Sequence, residues 1–320
     1  MTGFATHSAY DSAGTATPLV APLSRDASRV GDFIALLKPR VMSLVVFTGA
    51  VGLMMAPHVA LNRVHPILAL IAVLCIAVSA GGAGAINMWY DRDIDAMMRR
   101  TAARPIPMGH IDPAEALAFG IILSGAAVVV MGLALNWIAA GLLAAATFFY
   151  VFVYTIWLKR WTPQNIVIGG AAGAFPPMIG YAAVTGTIDL ASLTLFALIF
   201  FWTPAHFWAL SLYASDDYRR AKIPMLPIVA GIAATKRQII LYTGIVSIVA
   251  LSPYAVGLAH GLYAGVAGIL SGVFLVQAFR VYRAAEGDHG PARRMFRYSL
   301  LYLFLLFAAL LIDRALSLGL

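Results

Sequence analysis

Acidic residues are scarce in this 320-residue chain, with 14 Asp and Glu in all, and charged residues of both signs make up 11%. Soluble domains carry about 25% charged residues. With 61% hydrophobic residues, a water-soluble fold is excluded and the composition is that of an integral membrane protein. A single cysteine, Cys75, sits inside an apolar run. It excludes an intrachain disulfide and a cysteine zinc site, leaving packing as its role. The first 30 or so residues lack an apolar core and carry Asp11 and Asp26, so they do not read as a signal peptide.

What the sequence does have is length of apolar run. Segments near 41–57, 66–86, 114–134, 138–158, 164–184, 190–211, 238–258, 262–279 and 298–318 are each long enough to cross a hydrocarbon core as helices. We therefore expect an all-α membrane protein of nine transmembrane helices over 38–320, preceded by a disordered cytoplasmic tail over 1–37. Of the 22 basic residues, all but Arg63 and Arg314 fall on alternate connections. The positive-inside rule then places the N-terminus and the charged loops in the cytoplasm. The net charge of +8 is explained by topology and membrane lipid, so no nucleic-acid partner is expected.

The acids that exist are concentrated. Asn87, Asp91 and Asp95 recur every four residues at the end of the second span, followed by Arg99, Arg100 and Arg104. On a continued helix they form one stripe, with Asp93 roughly opposite. A stripe without an internal cation repels itself. Mg²⁺ relieves that repulsion, being held by one or two carboxylates, waters and a substrate's phosphates. The bland alternative is a helix end pairing with its own arginines. A second charged loop, near 212–237, has Asp216 and Asp217 followed by Arg219, Arg220 and Lys222, and both loops run into proline-bounded segments. We read them as diverged halves facing one site. Lys159, Arg160 and Asn165 lie on the same side and are candidate diphosphate contacts. His206 lies at membrane depth among aromatics beside Pro204, where a histidine faces the bundle interior. The Gly169–Gly173 run is read as close helix packing and not as a nucleotide loop. Metal, cations and aromatic faces together suit ionisation of an allylic diphosphate between helices.

Three stretches carry a resemblance: Asn87 to Pro107, Tyr154 to Pro177, and Phe201 to Leu210 with Ile223 to Pro227. From about Lys38 onward the chain resembles the UbiA-type intramembrane prenyltransferase superfamily, and within it the branch that prenylates heme. The resemblance implies a transferase moving farnesyl from farnesyl diphosphate to a vinyl group of heme b. The implied setting is a bacterial inner membrane, with product passed to a heme A synthase or a terminal oxidase assembly. Carried over by position, Asn87, Asp91 and Asp95 hold Mg²⁺ and diphosphate. Arg99, Arg104, Lys159, Arg160 and Lys222 contact the diphosphate, Asp217 is the acid of the second motif, and His206 lies on the porphyrin side. Two departures stand out. Four residues after Asp216 comes Arg220, and four after Asp217 comes Ala221, which argues against a second carboxylate-held metal. The family's Pro-Pro-His reads Pro204-Ala205-His206. The rivals are a quinone-type aromatic prenyltransferase and, from another class, a heme-handling transporter.

Overall fold

In the computed structural model, residues 29–57, 62 and 64–319 are described, and every regular element among them is helical. The helices are α1 Val30–Leu36, α2 Pro39–Met54, α3 Pro66–Tyr90, α4 Arg92–Met97 and α5 Pro113–Ala134. Then follow α6 Trp137–Trp161, α7 Asn165–Thr185, α8 Leu190–Tyr213, α9 Ser215–Arg220 and α10 Leu226–Val229. The last three are α11 Gly231–Ala255, α12 Gly261–Arg283 and α13 Gly290–Ser317. Eight of these are long and apolar enough to cross a membrane, and α1 with α2, bent by 55°, makes a ninth span among the described residues. Eight of the expected spans are found outright and the first corresponds to the bent pair, with ends displaced by up to eight residues in the last eight spans.

Local chemistry sets the ends. Proline opens α2, α3 and α5, where its missing N–H costs nothing. Asp112, Asn136 and Asp189 cap the starts of α5, α6 and α8 with their side chains. The bundle is held by close backbone approach, which suits helices that gain little from hydrophobicity inside lipid. A Cβ on Gly52 would lie 2.0 Å from the Pro177 carbonyl oxygen, and one on Gly180 would lie 2.0 Å from that of Gly49. The backbones of α2 and α7 are thus in direct contact. Bulky residues such as Ile122, Leu133 and Ile269 turn outward, as lipid-facing positions should.

One expectation is corrected at the N-terminal end. Residues 30–36, read from composition as part of the tail, form α1. Leu36 is buried against Ala85, Met88, Ile106 and Ile111, and Phe33 meets Phe119 edge-on at 5.1 Å. Two apolar residues spaced by three give this short segment a packing face that composition averages away. Residues 1–28 of that tail lie outside the described residues.

Candidate active site at the charged end of the bundle

The helix carrying the acidic stripe stops at Tyr90. Asp91 caps it at φ −87°, ψ 6°, and α4 starts one residue later. The stripe nevertheless survives the break, because the Asp91 N–H donates to the Asn87 carbonyl at 2.9 Å and the Asp95 N–H to that of Asp91 at 2.8 Å. The i to i+4 register therefore continues through the junction. All three side chains are buried, Asp91 completely. Asp93 points outward, as expected.

The stripe has no cation of its own, but cations from elsewhere in the chain meet it. Lys38 Nζ donates to Asn87 Oδ1 at 2.6 Å, Lys159 Nζ to Asp91 Oδ2, and Arg104 Nη1 to Asp95 Oδ2 at 2.5 Å. Arg160 grips Asp93 through two bonds of 2.7 and 2.8 Å, donates to the Tyr90 carbonyl, and lies 4.8 Å over the Tyr90 ring. The Arg160 guanidinium holds the Asp93 carboxyl below its ordinary value. Four cations thus face three carboxylates. Two of them, Lys159 and Arg160, come from the far end of α6, and one, Lys38, from the α1–α2 bend. Sequence periodicity along a single helix cannot see partners 49 to 68 positions away. The surplus of positive charge suits an anionic ligand.

Helix α6 has a feature the sequence did not announce: residues Phe149–Leu158 are π-helical. Such wider turns are rare and concentrate at functional sites. Here the Thr155 hydroxyl donates to the Tyr150 carbonyl at 2.8 Å and receives the Asn87 amide at 3.1 Å. Asn87 Nδ2 also donates to Asp91 Oδ2 at 2.7 Å, so the amide is fixed between acid and hydroxyl. Tyr150 and Tyr154 stack at 5.6 Å on the same segment. Lys38, Tyr150 and Thr155 were missed from the sequence as site residues. The signal for Lys38, a lysine directly before Pro39, was weak. Its backbone has φ 51°, and the other non-glycine residue with positive φ among those described is Lys222, φ 53°. Two strained lysines bordering one site point to function.

The second loop meets the first. Tyr218, Ala221, Ile223 and Met225 pack with Ile94 and Met98 of the first loop and Ile166 of α7. Burial pushes the Tyr218 hydroxyl pKa up, and Arg100 and Lys159 lie within its electrostatic reach. The two charged loops are therefore packed together at one end of the bundle. Individual assignments are less uniform. Asp217 is bonded to Arg220, its neighbour on α9, and Asp216 to Arg219 at 3.2 Å. Lys222 and Arg99 are exposed. Asn165 is buried but spends its amide on the Thr162 carbonyl at 2.6 Å, closing its own turn. His206 sits about 10 Å up α8 from its charged end, seven residues at ~1.5 Å each. Its ring stacks between Trp202 at 4.3 Å and Phe296 at 4.7 Å, and Nδ1 bonds Ser299 Oγ at 2.6 Å.

Whether this site suits Mg²⁺ is decided by its oxygens. Among the described residues no three His, Cys, Asp or Glu side chains form a metal-holding group. Yet Asp91 Oδ1 is buried with no hydrogen-bond partner, Arg160 Nη2 standing off at 3.7 Å. A carboxylate oxygen left bare in a buried site is costly unless something cationic meets it. The donor set therefore fits a metal that completes its shell with ligand phosphates and water, and not an all-protein cage. A cleft of about 350 Å³, lined by Trp89, Tyr90, Arg92, Asp93 and Arg160, opens beside the cluster.

The sequence profile of the UbiA prenyltransferase family matches residues 45–300. The chain belongs to the UbiA prenyltransferase family. It is thereby a multi-pass membrane prenyltransferase. Among its curated relatives, a protein of Granulibacter bethesdensis named protoheme IX farnesyltransferase is 57% identical over 304 residues, covering 93% of this chain and 94% of the relative. A protein of the same name from Agrobacterium fabrum is 57% identical over 294 residues, covering 91% and 92%. The fold is that of solved UbiA structures. A digeranylgeranylglyceryl phosphate synthase aligns at TM-score 0.73 with 17% identity, covering 88% of this chain and 97% of that one. A UbiA homolog from Archaeoglobus fulgidus, bound to DMAPP and Mg²⁺, aligns at 0.63 with 17% identity, covering 87% and 99%.

Proposed function

We propose that this protein transfers the farnesyl group of farnesyl diphosphate to a vinyl group of protoheme IX in a bacterial inner membrane, with the charged end of the bundle cytoplasmic. The acceptor rests on near-full-length likeness to proteins of that name. The observation that carries the diphosphate chemistry is the buried set of interleaved acids and cations with one bare oxygen, Asp91 Oδ1. A transporter is expected to keep its acids near the bilayer midplane, whereas these lie at a helix end.

Asp91, Asp95 and Asn87 would hold Mg²⁺, which when bound supplies charge neutralisation on the leaving diphosphate. The protein's own residues do the rest. Lys38, Arg104, Lys159 and Arg160 are held beside the acids by existing hydrogen bonds, so their charge is already oriented when an anion arrives. Such preorganised cations stabilise a leaving group whose negative charge grows as the allylic C–O bond breaks. Thr155 fixes the Asn87 amide, and the stacked Tyr150 and Tyr154 rings offer aromatic faces to the allylic cation. Burial excludes water that would quench that cation. Asp217, Lys222 and Arg99 would form the rim, Asn165 would brace the turn beneath it, and the second loop would close the charged end. His206, whose Nε2 makes no hydrogen bond among the described residues, lies on the porphyrin side. The product would pass to a heme A synthase or a terminal oxidase assembly.

The deciding test supplies membranes holding the protein with farnesyl diphosphate, Mg²⁺ and either heme b or a hydroxybenzoate, and reads product mass. A farnesylated hydroxybenzoate without a prenylated heme overturns the proposal in favour of a quinone-type enzyme.

A further inference from the structure

A second basic cluster lies at the charged end, between the end of α12 and the start of α13. There a cleft of about 630 Å³ is lined by Arg280, Arg283 and Arg294, with Val276 and Phe279 on its apolar wall and Asp288 at its lip. Its arginines differ from those of the site already described. Among the described residues Arg104, Lys159 and Arg160 each grip an acid, and on α9 even the exposed Arg219 and Arg220 have Asp216 and Asp217. Arg280, Arg283 and Arg294 are exposed, and no hydrogen bond or ion pair joins them to a described residue. The only acid among the described residues lining the cleft, Asp288, accepts the Gly290 N–H at 2.9 Å and so closes the turn into α13. Three like charges converge on one opening with one carboxylate among them. Such an arrangement is stabilised by an anion from outside.

The apolar wall says which anion. Val276 and Phe279 lie about one turn below Arg280 and Arg283 on the same face of α12. They are 49% and 50% exposed, in a helix whose other outward residues, such as Ile269, face lipid. A free phosphate has no use for that wall. An acyl glycerophosphate fits both parts, with its phosphate among the arginines and its chains along Val276 and Phe279. We propose that this cleft is a binding site for the headgroup of an anionic phospholipid, separate from the acid-bearing active site. Basic pockets between spans at the headgroup level have the chemistry for this. Each arginine is worth on the order of a fivefold change in affinity, and the three together roughly a hundredfold.

The full-length protein, reconstituted in phosphatidylcholine nanodiscs containing a small fraction of phosphatidylglycerol, is released and examined by native mass spectrometry. Wild type should retain phosphatidylglycerol in excess of its share of the bilayer. R280Q/R283Q/R294Q should lose that excess, while R237Q, which removes one charge at another exposed position and is the match for R283Q alone, should keep it. Equal retention in the triple variant overturns the proposal, as does displacement of the lipid by millimolar inorganic phosphate, which would make the cleft a phosphate site. Thermal unfolding checks that the triple variant folds. If it does not, Arg283→Gln alone is read, with a loss of about fivefold expected and no loss counting against the lipid.

Discussion

Replacing Asp91 by asparagine, in parallel with the same change at Asp93, separates a metal-holding acid from a salt-bridge partner two residues away. The two side chains share a chain segment, a charge and even a cation, since Arg160 reaches both. Their surroundings differ. Asp91 is fully buried, bonded to Lys159 and Asn87, and keeps one bare oxygen. Asp93 has 56% of its side chain exposed and both oxygens on Arg160. An exposed ion pair is worth about 0.2–1 kcal/mol, so Asp93→Asn should lower kcat/KM by no more than about fivefold. Loss of a preorganised electrostatic group acting on a developing charge costs on the order of 10²–10³ in rate. Asp91→Asn should therefore fall at least about a hundredfold, and raising Mg²⁺ should not restore it. The assay is farnesyl transfer to heme b, read by product mass across a Mg²⁺ titration, with thermal unfolding in detergent to confirm that both variants fold. If Asp91→Asn kept a tenth of the wild-type kcat/KM, or if Asp93→Asn lost as much, the division of roles argued above would be wrong.

Four further outcomes follow from other contacts. Thr155→Val keeps the shape but removes the acceptor of the Asn87 amide, and should destabilise by about 1 kcal/mol while lowering transfer several-fold, measured by unfolding and turnover together. His206→Phe preserves the stack between Trp202 and Phe296, so stability should hold while KM rises for heme and not for farnesyl diphosphate; unchanged kinetics would make the ring packing only. Gly52→Ala places a methyl against the Pro177 backbone and should destabilise by about 1–3 kcal/mol or more, seen as a lower unfolding temperature. Because Arg160 depresses the Asp93 pKa, that pair contributes above the ordinary carboxylate value of 3.8 and its contribution is lost as pH falls through the depressed value. Wild type should accordingly lose stability more steeply than Asp93→Asn in an acid titration of unfolding.

The spans were legible because membrane thickness imposes a length and an apolar composition on each helix, and both are local properties. The acid stripe was legible for a similar reason, since Asn87, Asp91 and Asp95 are neighbours on one helix face. Their partners were not. Lys159 and Arg160 reach the acids only because α6 ends beside α3, and Lys38 only because the chain bends between α1 and α2. In the sequence Lys38 counted merely as a basic residue before the first span. The sequence set Arg104, Lys159 and Arg160 on the same side as the stripe, but a local pattern does not show which acid each counter-charge meets by tertiary contact. Asn165 shows the reverse error, a polar residue at the right end whose amide serves its own turn. The α1 helix was hidden by averaging, because Phe33 and Leu36 are few among the polar residues preceding them.

The wide-turned stretch of α6 makes the site sensitive to chain length as well as to residue identity. Thr155 and Lys159 both reach the acid stripe, yet the ten residues Phe149–Leu158 wind with about one extra residue per turn relative to an α-helix. Deleting a single residue between Phe149 and Tyr154, with the wide turns otherwise kept, removes one residue's worth of winding from the helix. The helix on one side of the deletion would then rotate by about 100° against the other. Every side chain that touches the acid stripe could be retained and the lysine would still face away from its aspartate. Change in this region is therefore gated by insertion and deletion, and a lineage could retune or silence the site by one codon without substituting any residue that touches it.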